Sequence, residues 1–418
     1  MEIQSIRPYG NNTNFKGIEK MASKNVANVA LVGGGGRIGR NALREYLYAK
    51  HAPQGVYKTW DSLKQVMPLL NLVAINMGSM GLKGGKTISD VGEEDLLSQI
   101  RNDSVLGRLP DCIGTSIIRN EAGDTFLKVN SAVGGEETIN LVATRDDVDF
   151  SKYNAEIMLD ATGARTSKAA MSELLDTTST AKYALLSAPS KEKDKSITPM
   201  PTIVAGVNNE RIADIKNEGR IASAASCTTT CIAPIIKLMN DKFGVASGYI
   251  ETVHAATATQ FTADKSNKEA DSKKRGSFDS MIPTTTGAAK AVGLVLPELK
   301  GKLNGTATRV PTADGSLAVI TLNLKNSTTV DEINAALKEA SMSDEYANLI
   351  AFAPKGSSSR DVIGRHESAL VVPESVMMIG DNMAVIKAYY DNEFGYTRSY
   401  LTLANEVAKD VIAEKANV

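Results

Sequence analysis

The stretch Asn28-Val-Ala-Leu-Val-Gly-Gly-Gly-Gly-Arg-Ile-Gly-Arg40 decides the fold class of this chain. Its first five residues predict a short buried strand, and the residues after Arg40 predict a helix with one apolar side. Between these elements, Gly34, Gly36 and Gly39 occupy the glycine positions of a G-x-G-x-x-G motif. A strand, a glycine turn and a helix bring backbone N–H groups close to a pyrophosphate. The stretch therefore predicts a dinucleotide-binding site, with a flexible glycine loop as the alternative.

The following segments continue the alternation of strands and helices. Apolar runs predict strands over Leu70–Asn76, Thr138–Thr144, Glu156–Thr162, Tyr183–Ser187 and Thr202–Val207, and a helix over Ser167–Leu175. Strands that alternate with helices favour a doubly wound parallel sheet of the Rossmann type. Two stretches, residues 51–69 and 78–90, are interpreted as local insertions in this α/β unit.

The pattern changes after Ser226. Longer alternating strands are predicted over Gly248–Ala258, Thr306–Val310, Ser316–Leu324 and Asn382–Tyr390, and helices over Gly287–Leu296 and Val330–Ala340. This mixture predicts a second domain of the α+β class, with a mixed sheet and helices on one side.

A candidate nucleophile lies at the junction of these halves, in Ser223-Ala-Ala-Ser-Cys-Thr-Thr-Thr-Cys231. Apolar residues recur at helical spacing after it and Gly244 supplies a stop, so Ser226 is the expected N-cap. Cys227 then lies in the first turn, where unpaired N–H groups and the helix dipole favour a thiolate of lowered pKa. The strand that ends at His254 can bring an imidazole beside this thiol. A buried structural cysteine and a structural histidine are the alternatives.

Composition limits the classes of function. The 418 residues suggest two domains, and 47 Lys plus Arg nearly equal 48 Asp plus Glu, so we expect no nucleic acid and no membrane as partner. Three cysteines do not form a disulfide framework, and they fit the reducing cytoplasm. Cys227 and Cys231 lack the further ligands of a zinc site, so no metal is expected.

Five segments together resemble the phosphorylating glyceraldehyde-3-phosphate dehydrogenase family. They are Ala225–Thr229, Val253–Ala255, Ile282–Val292, Arg309–Thr312 and Tyr390–Tyr396. They occur in the family's order and near its spacings, and with the glycine motif the resemblance extends from about Asn25 to about Val411. Any one segment could match by chance, but five in one order are specific.

The resemblance implies that glyceraldehyde 3-phosphate and inorganic phosphate react through a cysteine thioester, with hydride transfer to NAD or NADP. Cys227 would be the nucleophile and His254 the group that takes its proton. Ser226, Thr228, Thr286 and Gly287 would line the site for inorganic phosphate. Thr257 and Arg309 would hold the phosphate of the substrate, with Arg275 in the segment that carries active-site arginines in the family. An ion pair is the alternative for Arg309, and helix capping is the alternative for the threonines.

The resemblance also implies the cofactor residues, the domain limits and a homotetramer. The cofactor residues are Gly34, Gly36, Arg37, Ile38, Gly39, Met77, Thr162, Ser187, Asn392 and Tyr396. Asn392 would hold the nicotinamide amide and Tyr396 would pack near the ring, with turn formation as the alternative for Asp391 and Asn392. The predicted limits are a dinucleotide-binding domain at 25–226 and a catalytic domain at 227–391. Residues 1–24 are polar and rich in Asn, and this composition predicts a disordered leader. A C-terminal helix within 392–418 would pack back and complete the first domain.

The chain departs from the family pattern at several positions. Ala224 and Thr230 replace asparagines, Gly33–Gly36 replaces Asn-Gly-Phe-Gly, and Ala313-Asp-Gly315 replaces Pro-Asn-Val. The acidic residue expected after the second strand is absent, since Met77-Gly-Ser-Met80 stands there, which favours acceptance of NADP. Ser79, Lys83 and Lys86 are close enough in sequence to contact its 2′-phosphate; as the alternative, Asp90 supplies the acid and NAD is preferred. Erythrose-4-phosphate dehydrogenase and a catalytically silent binding protein are the alternative functions. The intact Thr284–Ala289 segment argues against the first, and the intact nucleophile and base argue against the second.

Overall fold

The structure is a computed structural model that describes residues 25–53, 67–78, 80, 87–194, 196–257, 260–264 and 274–417. The predicted leader at 1–24 lies outside the described residues, as do parts of the two predicted insertions.

The first half of the chain forms an eight-stranded sheet and a small hairpin. In chain order the strands are β1 Ala27–Val32, β2 Leu70–Asn76, β3 Asn102–Asp103, β4 Gly107–Arg108, β5 Gly114–Arg119, β6 Thr125–Ser131, β7 Gly135–Val142, β8 Ile157–Asp160, β9 Tyr183–Leu186 and β10 Ile221–Ser223. The large sheet has the order β10-β9-β8-β1-β2-β7-β6-β5, and β3 pairs with β4. Its first six strands are parallel, as the sequence predicts, whereas β6 and β5 extend it as an antiparallel edge.

The second half forms another mixed sheet. Its strands are β11 Val245–His254, β12 Ile282–Thr285, β13 Leu303–Arg309, β14 Ser316–Leu324, β15 Ile350–Phe352, β16 Ala369–Val371, β17 Met377–Ile379 and β18 Met383–Tyr390. They run in the order β12-β13-β11-β14-β18-β16-β15, with β17 beside β18. The α/β and α+β fold class predicted from the sequence is confirmed.

Helices cover both sheets. Those within the described residues are α1 Arg37–His51, α2 Glu93–Arg101, α3 Lys168–Asp176, α4 Ile212–Asn217, α5 Cys227–Phe243, α6 Ala288–Val295, α7 Val330–Ser341 and α8 Phe394–Ala416. The apolar side of α8 shares one buried core with α1 and the first sheet, and Tyr400 donates a hydrogen bond to the carbonyl of Leu185 at 2.7 Å. No helix among the described residues is long and apolar enough to cross a membrane.

One predicted strand is wrong. Within Thr202–Val207 only Thr202 pairs, through an isolated bridge to Ser223. The side-chain amide of Asn208 forms hydrogen bonds with two backbone groups of this segment in place of a neighbouring strand. Its Oδ1 accepts from Val204 N at 2.9 Å, and its Nδ2 donates to Thr202 O at 3.0 Å. The segment therefore folds as a turn although its composition is that of a strand.

The glycine turn brings α1 close to β1. A Cβ atom on Gly39 would lie 2.1 Å from the carbonyl oxygen of Gly33, so only glycine permits this approach. The helix follows Gly36, which has no side chain to cap it, and the N–H groups of the first turn remain available to a ligand. The local geometry fits the pyrophosphate of a dinucleotide.

Candidate active site

Cys227 is the first residue of α5, and its surroundings follow from the local sequence. The Ser226 hydroxyl caps the helix by accepting a hydrogen bond from Thr229 N at 3.2 Å, which confirms the predicted N-cap. Gly244 ends the helix with a φ of +66°, as predicted. The thiol is half-buried and lies at the end of the helix where the backbone dipole is positive.

The residue before the N-cap is held in an unusual conformation. Ala225 has a φ of +60°, a left-handed conformation that costs energy for a residue with a Cβ atom. Its N–H donates to Ser223 Oγ at 3.1 Å, and its carbonyl accepts from the Tyr396 hydroxyl at 3.3 Å. Tyr396, expected near the cofactor ring, therefore also supports the turn that presents Cys227.

The structure brings His254 to Cys227. His254 ends β11, and its Nε2 atom lies 3.4 Å from the Cys227 sulfur. The other ring nitrogen, Nδ1, lies 2.8 Å from the carbonyl oxygen of Ala255 and 2.5 Å from Nη1 of Arg309. Nδ1 accepts from Arg309 only when it is unprotonated. When Nδ1 carries the proton it donates to the Ala255 carbonyl instead, and Nε2 is then free to accept the proton of the thiol.

Burial sets the protonation of this pair. It raises the pKa of the Cys227 thiol to about 11, while the Arg309 charge and the hydrogen bonds of Thr228 act in the opposite direction. Burial, together with the Arg309 charge, lowers the pKa of His254 to about 4. The prediction of a lowered thiol pKa is therefore wrong for this arrangement, because the effect of burial outweighs the effects of the Arg309 charge and the Thr228 hydrogen bonds. Thiol and imidazole are both neutral near pH 7, and a thiolate forms by passing its proton to His254.

Tyr390 is a site residue that the sequence analysis did not single out. Its buried hydroxyl lies 2.8 Å from the hydroxyl of Thr228 and 2.8 Å from that of Thr252. Its ring meets the His254 ring edge-on, with centroids 6.0 Å apart. Tyr390 thus fixes the orientation of the base and engages one predicted phosphate-binding hydroxyl. Its place at the end of β18, next to Asp391, was the available signal.

The predicted anion-binding residues Thr286, Gly287 and Thr257 lie at the start of α6 and in the segment after β11. Thr286 accepts a hydrogen bond from Ala288 N at 3.1 Å, and Gly287 is the N-cap of α6. That helix start is linked to the start of α5 through Thr229 Oγ1, which lies 3.4 Å from Ala288 O. Thr257, the third residue after His254, donates a hydrogen bond from its backbone N–H to Gln260 Oε1 at 3.1 Å.

The two predicted arginines differ in their surroundings. Arg309 lies opposite His254 in the parallel pairing of β13 with β11, and its Nη1 atom also donates to Ala255 O at 3.0 Å. This contact with the base was not predicted from the sequence. Arg275 instead pairs with Asp264 at 2.9 Å, and the side chains of both are exposed. The structure therefore unites Arg309, and not Arg275, with the Cys227–His254 pair.

The predicted cofactor residues of the first sheet lie at the carboxyl ends of its parallel strands. Gly34, Gly36, Arg37, Ile38 and Gly39 follow β1, Met77 follows β2, Thr162 follows β8 and Ser187 follows β9. Ligands of open α/β sheets bind at this edge. The position after β2 holds the uncharged Met77. Its side chain is buried, and its N–H donates to Val142 O at 2.8 Å.

Asn392 and Arg37 connect this edge to the second sheet. Asn392 Oδ1 accepts a hydrogen bond from Ser316 Oγ at 2.6 Å, and that hydroxyl accepts one from Ala255 N at 3.1 Å. Arg37 donates from Nε to Glu393 Oε1 at 2.9 Å and pairs with Asp103 at 2.6 Å. The segment before α8 therefore joins the glycine turn to the strand that carries His254.

Known proteins resemble this chain along most of its length. A family model described as glyceraldehyde 3-phosphate dehydrogenase, C-terminal domain, matches residues 226–392. Glyceraldehyde-3-phosphate dehydrogenase 1 of Bacillus subtilis is 35% identical over 381 residues, which cover 90% of this chain and 97% of the relative. Glyceraldehyde-3-phosphate dehydrogenase of Priestia megaterium is 36% identical over 77% of this chain and 90% of its own. The cytosolic enzyme of that name from Pinus sylvestris is 37% identical over 66% of this chain and 77% of its own.

Proposed function

The chain belongs to the glyceraldehyde-3-phosphate dehydrogenase family, and from this premise we propose that Cys227 is the nucleophile and His254 the base in the oxidation of glyceraldehyde 3-phosphate. The observation that carries the proposal is the 3.4 Å separation of Cys227 Sγ and His254 Nε2 at the start of α5. The protein is an oxidoreductase that uses a nicotinamide cofactor and inorganic phosphate.

The reaction proceeds at the Cys227 sulfur. The thiol passes its proton to His254 Nε2, and the thiolate forms a C–S bond to the aldehyde carbon, whose oxygen takes up the proton. His254 then removes that proton while the carbon is oxidised to a thioester. The bound nicotinamide cofactor supplies the acceptor for the hydride. Phosphate next attacks the thioester carbon, the C–S bond breaks, and an acyl phosphate leaves the regenerated sulfur.

Two anion sites serve these steps. Ser226, Thr228, Thr286 and Gly287 line the site for inorganic phosphate, where two helix starts supply N–H groups and hydroxyls. Arg309 and Thr257 hold the phosphate of the substrate, because Arg309 lies beside the base and offers a planar pair of donors. Arg275, whose guanidinium pairs with Asp264, is not needed for either anion site as proposed.

The assay that tests this function follows formation of reduced cofactor from glyceraldehyde 3-phosphate, with and without phosphate. We expect steady turnover only with phosphate, since thioester release requires it. A rate that does not depend on phosphate contradicts the phosphorylating reaction. Erythrose 4-phosphate in the same assay tests the alternative substrate.

We expect Arg309→Ala to affect the phosphorylated substrate most. Loss of charge-assisted hydrogen bonds should reduce kcat/KM for glyceraldehyde 3-phosphate by about 10- to 100-fold. Unphosphorylated glyceraldehyde should lose less than about fivefold, because its reaction needs only the nearby Cys227–His254 pair. Arg309→Lys, which keeps the charge, is the control. Equal losses with both substrates would assign Arg309 to the base alone, through its 2.5 Å contact with His254.

The cofactor site accepts NADP alone or alongside NAD. The position after β2 holds buried Met77 in place of an acid. The neighbouring Asn76 accepts a hydrogen bond from Gly78 N on its Oδ1 atom at 2.9 Å. No carboxylate at that position repels a 2′-phosphate. Ser79, Lys83 and Lys86, which the sequence suggests as phosphate ligands, lie outside the described residues. Asp90, the candidate substitute acid, caps its own turn by accepting from Thr87 N at 2.6 Å.

Dissociation constants of NAD and NADP at one salt concentration test this proposal. We expect NADP to bind no more than about tenfold weaker than NAD, a difference of about 1.4 kcal/mol. Met77→Asp should shift the preference toward NAD by restoring a negative charge. A larger preference of the unchanged protein for NAD points to another acid near the ribose.

The assembly and the location are proposed from the surface and the thiols. Phe278, Met281 and Tyr249 are large apolar side chains that remain exposed in the single chain, which supports association into the homotetramer that the resemblance implies. A mass of four chains by light scattering tests it. The three cysteines are free, which supports a reducing compartment, the cytoplasm, and fractionation of the source cells tests this.

We also propose that the cofactor-binding domain comprises 25–226 with the helix within 392–418, and the catalytic domain 227–391.

A further inference from the structure

Asp391 is a buried carboxylate with a full set of donors. It lies between β18 and α8, where its Oδ1 accepts from Glu393 N at 2.9 Å and from Phe394 N at 2.7 Å. Its Oδ2 accepts from Gly364 N at 2.7 Å. Three N–H groups favour the ionised form of this side chain, and they fix the loop before α8.

Asp314 is a second buried carboxyl group that faces the first. It lies in the turn before β14 and is 1% exposed. Its Oδ1 accepts from Gly315 N at 2.8 Å, whereas its Oδ2 has no donor among the residues that the structure describes. The side chain of Asp391 lies within hydrogen-bonding reach of it. Two ionised carboxylates in a buried contact repel each other, so one must hold a proton.

The proton belongs on Asp314. Asp391 accepts hydrogen bonds from three N–H groups and Asp314 from one, so hydrogen bonds stabilise the ionised form of Asp391 more than that of Asp314. A proton on Asp314 Oδ2 turns that unpartnered acceptor into a donor to Asp391. Burial and the carboxylates of Asp391 and Glu393 raise the pKa of Asp314 to about 9, which keeps it neutral near pH 7.

This pair is joined to both halves of the proposed cofactor site. Asn392 follows Asp391, and Ser316, two residues after Asp314, donates to Asn392 Oδ1 at 2.6 Å. Glu393 follows in turn and binds Arg37 of the glycine turn. A shift of the 391–393 segment therefore moves the group proposed to hold the nicotinamide amide together with an ion pair at the pyrophosphate turn.

We propose that Asp314 is a positioning residue: as a neutral acid it donates a hydrogen bond to Asp391 and so fixes the loop that presents Asn392 to the cofactor. This inference rests on the proposed function, because that function gives Asn392 the role of holding the nicotinamide amide. The family pattern has asparagine where this chain has Asp314, and an amide donates at every pH. With aspartic acid, the position of the loop depends on a proton.

Among the titratable groups around the cofactor loop, Asp314 is the one expected to lose its proton in the mildly alkaline range. Asp391 and Glu393 face it, Arg37 lies beyond Glu393, and the Cys227 thiol lies within its field. The pKa of that thiol, at about 11, is higher than that of Asp314. Loss of the Asp314 proton places two negative charges in contact and displaces the loop.

Calorimetric titration of the cofactor from pH 7 to pH 10 tests the proposal in the folded protein. For the unchanged chain we expect the dissociation constant to rise above a midpoint near pH 9, by up to about tenfold per pH unit. Asp314→Asn should remove most of that rise. The control is Asp381→Asn, at an exposed aspartate in the β17–β18 turn, which should keep it. An Asp314→Asn profile that parallels the unchanged chain overturns the proposal.

Unfolding by denaturant gives a readout that does not need the cofactor. An unfolded aspartate titrates near about 3.9, and folding raises the pKa of Asp314 to about 9. The stabilisation by this proton is complete below the unfolded pKa and is lost as the pH rises toward the folded pKa. The free energy of unfolding of the unchanged chain should therefore fall relative to that of Asp314→Asn between these limits.

The two experiments separate the possible failures. If neither NAD nor NADP binds at pH 7, the proposed function is wrong, and the unfolding comparison still tests the carboxyl pair. If the cofactor binds, but the unchanged chain and Asp314→Asn have the same pH dependence of both binding and unfolding, then Asp314 does not share a proton with Asp391. Asp314→Ala, which has no donor, should bind the cofactor more weakly at every pH, and tight binding by it contradicts the positioning role.

Discussion

Cys227→Ser is expected to reduce turnover by roughly 10⁴- to 10⁶-fold, the range found when a covalent nucleophile is removed. The hydroxyl that replaces the thiol is a far weaker acid, so His254 at about the same distance cannot produce a useful alkoxide. No thioester can form, and an acyl adduct on this residue should be absent from the intact mass after mixing with substrate and oxidised cofactor.

The other two cysteines provide controls for this result. Cys231 lies one turn further along α5 and is buried, and Cys112 is exposed away from the helix. Cys231→Ala and Cys112→Ser should each retain activity within about fivefold, because neither thiol contacts His254. A Cys227→Ser protein that keeps a substantial part of the original rate would exclude the covalent route.

His254→Asn is expected to lower the rate of hydride transfer by about 10²- to 10⁴-fold, the contribution typical of a positioned base. Asparagine fills a similar space and keeps a polar group, but it cannot accept the thiol proton. Burial holds the pKa of His254 near 4, so the imidazole is neutral and ready to accept a proton at pH 7. Single-turnover measurement of reduced cofactor isolates this step.

Alkylation of Cys227 measures the same coupling without substrate. The pKa of the thiol is about 11, and below that pH a thiolate exists chiefly when His254 holds its proton. His254→Asn should therefore move the pH profile of alkylation to higher pH. His366→Asn is a matched control, since burial lowers the pKa of His366 to about 4 as well. An alkylation profile that His254→Asn leaves in place shows that the two side chains do not exchange a proton.

Local sequence determined the elements that bear the proposed chemistry. The start of α5 at Cys227, its cap at Ser226 and its end at Gly244 follow from one helix and its two terminal signals. The glycine turn before α1 follows from the need for close approach at Gly39. Strand β14 was predicted to the residue, because strict alternation over Ser316–Leu324 reports one buried face.

Only the tertiary structure decided how long-range partners change these local preferences. Thr202–Val207 has the composition of a strand, but Asn208 satisfies its backbone and makes a turn. Ala225 adopts a left-handed conformation that alanine disfavours, since Tyr396 and Ser223 hold its polar groups. The antiparallel edge formed by β5 and β6 depends on pairing that apolar periodicity does not specify.

The protonation of the site was also decided by the fold. From sequence alone, the position of Cys227 on a helix start predicts a lowered pKa, because the dipole is a local property. Burial is a property of the whole packed chain, and it reverses that shift. Likewise, Asp314 and Asp391 are separated by most of the second sheet in sequence, and only folding places their carboxyl groups in contact. Residue types and their spacing identify the reacting groups, whereas packing determines the charge that each one carries.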